Sequence, residues 1–482
     1  MSGFIRENFK KDITYRNMDE ASPVSFENLR NTHIAAGSAF LYIIVMGMVN
    51  SYSAPATVDM QMPGSRFRDI TSDEITWIAS LPQITGIIGN CLAGYITHKL
   101  GRQTTLMFAS TSYVISWLTI AYAPSIPVIY AGRLISGLCA GVCCVAVPAY
   151  VVEIAPTEIR GLLTSGFQFA FGTGVFLIIS LGAVLRWSWL AISGAVITTC
   201  AVCLMVMMPE SPAWLVRESR TEEAIRSIRF LKGRHSDVMK EIKDIRDNLV
   251  QSESNNFSWK EFLDPTFYKP VIITAFLMLF QQVSGVNAVM SYTVEIFNTI
   301  GSSVNPQIAS SVVAAVQVVA TVFGGILMDK TGRKKLYMIS GSCMSVSFFI
   351  LGLYSYLTTK TNKTAVDFHL YGWIPLVTLM MYMFAFSLGV GPIPFVMTPE
   401  IAPIRFRSMI IAFGSLMASL SAFAVTKSFE KLRELIGFHG LFWLYGSFSL
   451  LSAFYGRFFL PETKGLTLHE IHRSFSSPDD QL

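Results

Sequence analysis

Carboxamide side chains interrupt an otherwise apolar stretch near the middle of the sequence. Gln281, Gln282 and Asn287 lie within FQQVSGVNAVMSY, which directly follows the apolar run VIITAFLML. A carboxamide donates and accepts hydrogen bonds without carrying a charge, so this set suits a neutral polyhydroxyl ligand better than an ion. Gln168, in GFQFAFGTG, has similarly apolar surroundings. Polar side chains also hold helices together in membranes, and that structural role is the alternative.

The elements that must position these amides are long apolar segments. Of the 482 residues, 52% are hydrophobic and only 14% are charged, whereas a soluble chain averages about 25% charged. Apolar runs of about 20 residues are long enough to cross a bilayer as helices, which satisfy their own backbone. The sequence therefore predicts an all-α membrane protein with about twelve transmembrane helices. The predicted spans are 33–55, 75–97, 104–123, 127–152, 162–183, 186–208, 269–291, 307–329, 335–357, 372–396, 407–427 and 439–460.

Basic residues concentrate on one side of this predicted topology. Residues 209–268 contain ten Lys and Arg, whereas the loop 292–306 on the other side contains none. The positive-inside bias predicts that both termini and the long loop are cytoplasmic. The net charge of +5 is explained by this placement, and no nucleic-acid partner is predicted from it. The first 30 residues are polar and do not resemble a cleavable signal.

No set of residues predicts catalysis or a metal centre. All seven cysteines fall inside predicted spans, and the Cys200–Cys203 pair lacks a second pair or a nearby histidine, which favours a packing role. No loop carries a nucleophile–base pair or a cluster of metal ligands, so we expect no enzyme and no cofactor. Asn362 begins a glycosylation sequon in a loop predicted to be non-cytoplasmic.

Three motifs recur in the same order in the two halves of the chain. GYITHKLGRQ corresponds to GILMDKTGRK, EIAPTEIRG to EIAPIRFRS, and PESPAWL to PETKGLT, each at the end of an equivalent span. A duplicated six-helix unit is typical of transporters with a binding site between two halves. The predicted division is a cytoplasmic arm at 1–32, six-helix bundles at 33–208 and 269–460, a cytoplasmic loop at 209–268 and a cytoplasmic tail at 461–482.

The long loop has helical periodicity of its own. Ala224, Ile225, Ile228 and Leu231 share one helical face opposite charged residues, and the same spacing recurs within 238–249. We therefore expect short helices that brace the bundles from below. A helix lying on the membrane surface is the alternative.

Taken together, these motifs resemble the sugar porter family of the major facilitator superfamily. The resemblance runs from about 33 to about 472 and includes GRLISGL, EIAPTEIRG, PESPAWL, QQVSGVN, DKTGRKK, GPIPF, VTKSF and FLPETKGLTL. Within the superfamily, the chain is similar to insect facilitated trehalose transporters and to animal facilitative hexose transporters with a short first loop. The resemblance implies two pseudo-symmetric six-helix bundles and a small neutral sugar as substrate, with a monomer sufficient for transport.

The resemblance also implies a cytoplasmic gate made of ion pairs. Glu153 and Arg160, like Glu400 and Arg407, are seven residues apart, which is about two helical turns, so each pair can share a face. Such a network joins the halves when the site faces outward and separates when it faces inward. Ordinary anchoring charges are the alternative. The implied gate residues are Arg102, Glu153, Arg160, Glu210, Asp329, Arg333, Glu400, Arg407 and Glu462.

The second-half motif has Asp329 where the first half has His98, a departure from the family pattern. A histidine carries at most a partial charge of the opposite sign near neutral pH. We expect either a weaker or pH-sensitive network in the first half, or a tolerated change in a surface loop.

The implied substrate site departs from the family at three places. Family members commonly have asparagine where this chain has Gln317, tryptophan where it has Phe395, and asparagine where it has Ala418. Ala418 removes a hydrogen-bonding group, and such losses alter selectivity. The substrate-binding residues implied by the resemblance are Gln168, Gln281, Gln282, Asn287, Gln317, Phe386 and Phe395.

Helix geometry predicts a break in the seventh span. In a regular helix Asn287 lies about 120° from Gln281 and about 140° from Gln282, so these amides cannot reach one ligand. We expect a kink near Ser284-Gly285, where small residues permit one. Tyr292 then lies beyond the kink as part of an extracellular gate.

The coupling mode is predicted from an absence. Span 33–55 contains no carboxylate, whereas proton-coupled relatives carry an aspartate there, near the arginine that corresponds to Arg133. Without an acid to titrate, we expect facilitated diffusion, and the role of Arg133 is either proton-linked or structural. A non-transporting sugar sensor, a proton-coupled porter and a porter for another neutral solute are the alternatives. The plasma membrane is the default location.

Overall fold

The structure, a computed structural model, describes residues 26–156, 160–232, 238–253, 265–360, 371–403 and 406–464. Regular secondary structure in these ranges is helical. Ten helical stretches are long and apolar enough to cross a membrane. The shorter apolar segment Gly166–Gly182 belongs to the 23-residue helix Arg160–Gly182, which is also long enough to cross.

The last helix supplies two crossings rather than one. It runs for 52 residues, Arg407–Phe458, about 78 Å at 1.5 Å per residue, far more than the roughly 30 Å of a bilayer core. Gly437, with φ 69° and ψ 172°, breaks the helical backbone inside it. The prediction of about twelve crossings is therefore confirmed.

The helices have the following bounds: α1 Phe26–Ser51, α2 Ser53–Met60, α3 Ser72–Leu100, α4 Arg102–Ala121, α5 Ile126–Ile154, α6 Arg160–Gly182, α7 Trp187–Val206, α8 Pro212–Arg217, α9 Thr221–Lys232, α10 Val238–Glu253, α11 Pro265–Val283, α12 Val286–Ile300, α13 Pro306–Thr331, α14 Arg333–Lys360, α15 Ile374–Leu388, α16 Ile393–Ile401 and α17 Arg407–Phe458.

The crossing helices form two bundles. In the first bundle α3 packs on α5, α4 on α5 and α7, and α1 on α6; in the second, α14 packs on α15 and α17, and α11 on α17. The bundles meet through α3 with α17, α6 with α13, and α2 with α12. The predicted pair of six-helix bundles is confirmed.

The predicted break in the seventh span is confirmed. The span is two helices, α11 and α12, joined at Gly285, whose φ of 89° is in the left-handed region. The ring of Tyr445 lies so close that a Cβ on Gly285 would be 2.6 Å from it. Glycine is therefore required by both the backbone conformation and the packing.

The loop between the bundles contains the expected short helices. Ala224, Ile228 and Leu231 are buried on α9, and α9 binds the start of the first bundle. Asn31 Nδ2 donates to the carbonyl of Phe230 at 2.8 Å, anchoring α9 on α1. These contacts favour a brace under the bundle over a helix lying on the membrane. The end of the molecule that carries α8, α9 and α10 is called the loop end below.

We expect Gly285→Ala to destabilise the protein by about 1–3 kcal/mol, since alanine adds both backbone strain and a clash with Tyr445. The measurement is the thermal unfolding midpoint of the purified protein in detergent.

The matched control is Gly325→Ala, because Gly325 lies within α13 and a Cβ there meets nothing within 4 Å. This control should be neutral or stabilising. Equal midpoints for the two variants would contradict the requirement for glycine at 285.

Candidate functional site

A cavity of about 180 Å³ lies between the two bundles. The described residues that line it carry no charged side chain. Its polar lining comes from α1, α3, α11, α12 and α17, and its apolar lining includes Met46, Phe171, Ala418 and Ala422. The polar lining residues are Asn50, Gln83, Asn90, Gln282, Asn287 and Ser419.

Five amides form one hydrogen-bonded chain across this cavity. On the first-bundle side, Gln83 Nε2 donates to Asn50 Oδ1 at 2.5 Å. Asn50 Nδ2 then donates to Asn287 Oδ1 of the second bundle at 3.3 Å. Asn287 Nδ2 donates to Gln282 Oε1, and Gln282 Nε2 donates to Gln281 Oε1 at 3.0 Å. All five amides thus donate in the same direction along the chain, and every one after Gln83 also accepts from the amide before it.

The end of this chain is fixed by a second helix break. Gln281 Nε2 donates at 2.6 Å to the carbonyl of Gly391, which lies between α15 and α16 where the GPIP sequence interrupts the helix. At the break near Gly285, the freed carbonyl of Ser284 also has a donor, because Tyr382 OH donates to it at 3.0 Å. The two interrupted helices therefore position the amide chain and each other.

The structure brings Gln281, Gln282 and Asn287 together, as the sequence predicts. Gln168 is half-buried and lies one helical turn from Phe171 of the cavity wall. In the described residues, no hydrogen bond joins its side chain to the amide chain.

Three other predicted substrate residues lie off the cavity wall in this conformation. Gln317 is 2% exposed, and its Oε1 has no hydrogen-bond partner among the described residues. Phe386 is buried at the α15–α16 break, where a Cβ on Gly391 would meet its ring. Phe395 is 44% exposed. Their binding roles stay predictions.

Sequence reasoning missed the amides of the first bundle. Asn50, Gln83 and Asn90 line the cavity, yet none lies in a motif that marks the family. The available signal was a carboxamide inside an apolar span, the same signal that singled out Gln281 and Gln282.

Arg133 is a fully buried cation that binds backbone carbonyls. Its Nε donates to the carbonyl of Ile78 at 2.8 Å and its Nη1 to that of Val49 at 2.7 Å. Pro82 has no N–H, so the Ile78 carbonyl lacks its helical partner, and Arg133 supplies the missing donor. The guanidinium also lies 5.7 Å from the ring centroid of Tyr52. These contacts favour the structural role over a proton-linked one.

At the loop end, each bundle contains one ion pair of the same design. Arg102 Nη2 pairs with Glu153 Oε1 at 2.8 Å, and Ser211 Oγ donates to the same carboxylate. In the second bundle, Arg333 Nη2 pairs with Glu400 Oε1 at 3.1 Å. Thr463 Oγ1 donates to Glu400 Oε2 at 2.7 Å, in the place of Ser211. The sequence repeat is therefore a repeat of side-chain contacts.

Glu210 and Glu462 have backbone partners in this conformation, and their predicted part in the gate ion pairs stays a prediction. The Glu210 carboxylate accepts from the backbone N–H of Arg102 at 2.8 Å and of Gln103 at 3.0 Å. Glu462 accepts equivalently from the N–H of Arg333 at 3.0 Å. Both carboxylates cap helix N-termini, where unpaired N–H groups and the helix dipole favour negative charge.

The remaining predicted gate residues have the following places. For Arg407, Nε and Nη2 are buried without a hydrogen-bond partner among the described residues, so a Glu400–Arg407 pair is not formed here. The His98 side chain is exposed, and its carbonyl accepts from Trp214 Nε1 at 2.9 Å. The side chains of Arg160 and Asp329, and all of Asn362, lie outside the described residues.

At the opposite end, contacts cross between the bundles. Lys427 Nζ of α17 lies 2.7 Å from Asp73 Oδ1 and 2.9 Å from Thr76 Oγ1, both on α3. The same ammonium lies 4.0 Å from the ring centroid of Trp77. One lysine of the second bundle thus binds three residues of the first.

Tyr292 lies at this end within the second bundle. It is 1% exposed, and its ring stacks on Phe429 with centroids 4.3 Å apart. Its predicted part in a gate remains a prediction. The cavity therefore has cross-bundle contacts at this end and separate, within-bundle ion pairs at the loop end. Fold and site together define a polytopic membrane protein with a polar, uncharged cavity between two matched bundles.

Comparison with known proteins identifies the family. A family model described as "Sugar (and other) transporter" matches residues 31–475. The facilitated trehalose transporter Tret1 of Bombyx mori is 36% identical over 434 residues, covering 90% of this chain and 84% of that protein. Tret1 of Polypedilum vanderplanki is 34% identical over 444 residues, covering 91% and 87%. Against Tret1 of Drosophila willistoni, this chain covers only 50% of the relative's length.

Solved structures share the fold. The inward-open xylose transporter XylE from E. coli matches with a TM-score of 0.76 at 23% identity, covering 92% of this chain and 99% of that one. The partially occluded inward-open form matches with a TM-score of 0.73 at 22% identity, covering 89% and 100%. The chain belongs to the sugar transporter family and has the major facilitator fold. It is a multi-pass membrane transport protein and not an enzyme.

We expect Lys427→Met to loosen the end opposite the loop end. An exposed ion pair contributes about 0.2–1 kcal/mol and a cation–π contact about 0.5–2 kcal/mol, so amide exchange near this contact should accelerate several-fold. Hydrogen–deuterium exchange over 72–80 and 420–432 measures the change.

Lys431→Met is the matched control, because Lys431 is exposed one helical turn further along α17. Unchanged exchange in the Lys427 variant, or equal acceleration in the control, would show that Lys427 does not hold the bundles together.

Proposed function

We propose that the protein carries a neutral sugar, a hexose or trehalose, across the membrane by facilitated diffusion. The observation that carries this proposal is the amide chain in a cavity without charged lining residues among the described ones. Amides bind hydroxyl groups through both donor and acceptor and give no electrostatic preference to ions. The names of the relatives, facilitated trehalose transporters, support a sugar as substrate.

Uniport is supported by the surroundings of Arg133. Its Nε and Nη1 bind carbonyl groups, and no carboxylate of the described residues forms an ion pair with it. Asp59, the first carboxylate after span 33–55, accepts instead from the backbone N–H of Trp187 at 2.8 Å. A proton relay through the first helix therefore lacks its acidic carrier.

Alternating access is supported by the different contacts at the two ends. In this conformation Lys427 joins the bundles at one end, while Arg102 and Arg333 pair within their own bundles at the other. We assign the loop end to the cytoplasm from its excess of Lys and Arg, so this conformation faces inward. In the proposed outward-facing conformation, Arg160 and Arg407 form ion pairs that join the loop ends of the two bundles.

Counterflow in proteoliposomes tests the proposal. The purified protein should exchange labelled glucose or trehalose without a pH gradient, and a protonophore should leave the flux unchanged. Gln282→Leu should raise KM by about three- to tenfold, the worth of one or two neutral hydrogen bonds. The matched control is Asn298→Leu, because Asn298 is an exposed amide on α12 outside the cavity lining.

Three results contradict the proposal in different ways. Binding without flux indicates a sensor, and flux abolished by a protonophore indicates proton coupling. Flux of another neutral solute with none of any sugar indicates a different porter, an outcome that the apolar Ala418 and Ala422 on the cavity wall make worth including.

A further inference from the structure

Three amides of the first bundle line the cavity. They lie outside the family motifs, and the proposed transport mode assigns them no role. Asn50 lies on α1, and Gln83 and Asn90 lie on α3, seven residues apart. That separation is two helical turns, about 10 Å, so both can share the cavity face of α3. The three side chains therefore line a substantial length of the cavity.

Among these three amides, Asn90 gives the strongest indication of a ligand. Its Oδ1 is buried and has no hydrogen-bond partner among the described residues, yet Asn90 lines the cavity. A buried acceptor without a partner carries a desolvation cost that helix packing alone does not offset. A hydroxyl group of a bound ligand is the donor that it lacks.

Asn50 and Gln83 connect to the amides of the second bundle from the opposite wall of the cavity. Gln83 holds Asn50 at 2.5 Å, and Asn50 donates to Asn287 at 3.3 Å, the longest link of the amide chain and the one that joins the two bundles. A ligand hydroxyl accepts from Asn50 and donates to Asn287 in place of this link. The exchange leaves both amides satisfied with the ligand bound or absent.

The wall formed by α17 explains why further amides are needed. Ala418 and Ala422 face the cavity there, with Ser419 as its polar member. Methyl groups at 418 and 422 offer no hydrogen bond to a hydroxyl group. The first bundle therefore supplies donors and acceptors that α17 lacks.

We propose that Asn50, Gln83 and Asn90 form a second set of substrate-binding residues, which bind sugar hydroxyl groups from the first bundle and determine which sugar is accepted. This assignment rests on the proposed function, since it names further ligands of the same site. Under this assignment, residues of the first bundle contribute directly to the selectivity among sugars.

Combining side-chain variants of the protein with deoxy analogues of the sugar tests the assignment. Asn90→Leu and Gln83→Leu are compared with wild type in proteoliposomes, using glucose or trehalose and the series of deoxy analogues of whichever sugar the wild type carries. Each variant should raise KM for the parent sugar about three- to tenfold. Each should also lose discrimination against one particular deoxy analogue while keeping it against the others.

The controls separate binding from folding and from the proposed function. Asn298→Leu should retain the wild-type pattern, and Asn90→Ser should restore part of the affinity because it returns a hydroxyl group. Size-exclusion profiles and thermal midpoints show whether each variant folds. If Asn90→Leu does not fold, the deoxy analogues are compared with Asn90→Ser instead. Variants that keep every wild-type discrimination ratio overturn the assignment and leave the proposed function intact. A wild type that carries no sugar overturns the proposed function instead.

Discussion

Every interrupted helix in a membrane protein leaves backbone carbonyls that need a hydrogen-bond donor, and water is absent from the hydrocarbon to supply it. Three such carbonyls organise this molecule. Pro82 frees the carbonyl of Ile78, which Arg133 satisfies. The break at Gly285 exposes the carbonyl of Ser284 to Tyr382, and the GPIP break exposes that of Gly391 to Gln281. Arg133, Tyr382 and Gln281 are therefore the donors that stabilise these breaks in the helices.

This constraint links the scaffold to the site. Gln281 uses its donor on the Gly391 carbonyl and its acceptor on Gln282, so it fixes the orientation of the next amide in the chain. Asn287 reaches the same chain because the helix restarts at Val286 in a new direction after Gly285. A straight helix would point Asn287 away from Gln282, by the 100° rotation per residue. The break thus creates the binding geometry that the two amides share.

Much of this arrangement follows from sequence, and the exceptions have physical reasons. Apolar run length predicts the crossings, and the angular positions of Gln281 and Asn287 predict the break at Gly285. The partners of Glu210 were not predictable, because a carboxylate beside an arginine suggests an ion pair while its actual partners are backbone N–H groups. Gln83 was missed because a cavity-facing amide and a helix-packing amide look alike along a single span. Only the position of the facing helices separates them.

The distribution of contacts indicates how the bundles move. The repeated Arg102–Glu153 and Arg333–Glu400 pairs lie within single bundles, where they join helices of the same bundle. Under the proposed alternating access, the polar contacts between the bundles that must break include those of Lys427 and the Asn50–Asn287 link, and each contributes about 1 kcal/mol. The proposed function requires that the contacts broken in one conformation be offset by contacts formed in the other, so that the two are close in free energy and both are populated. Facilitated diffusion, as proposed here, needs that balance, because in this mode no coupled ion supplies the difference in free energy.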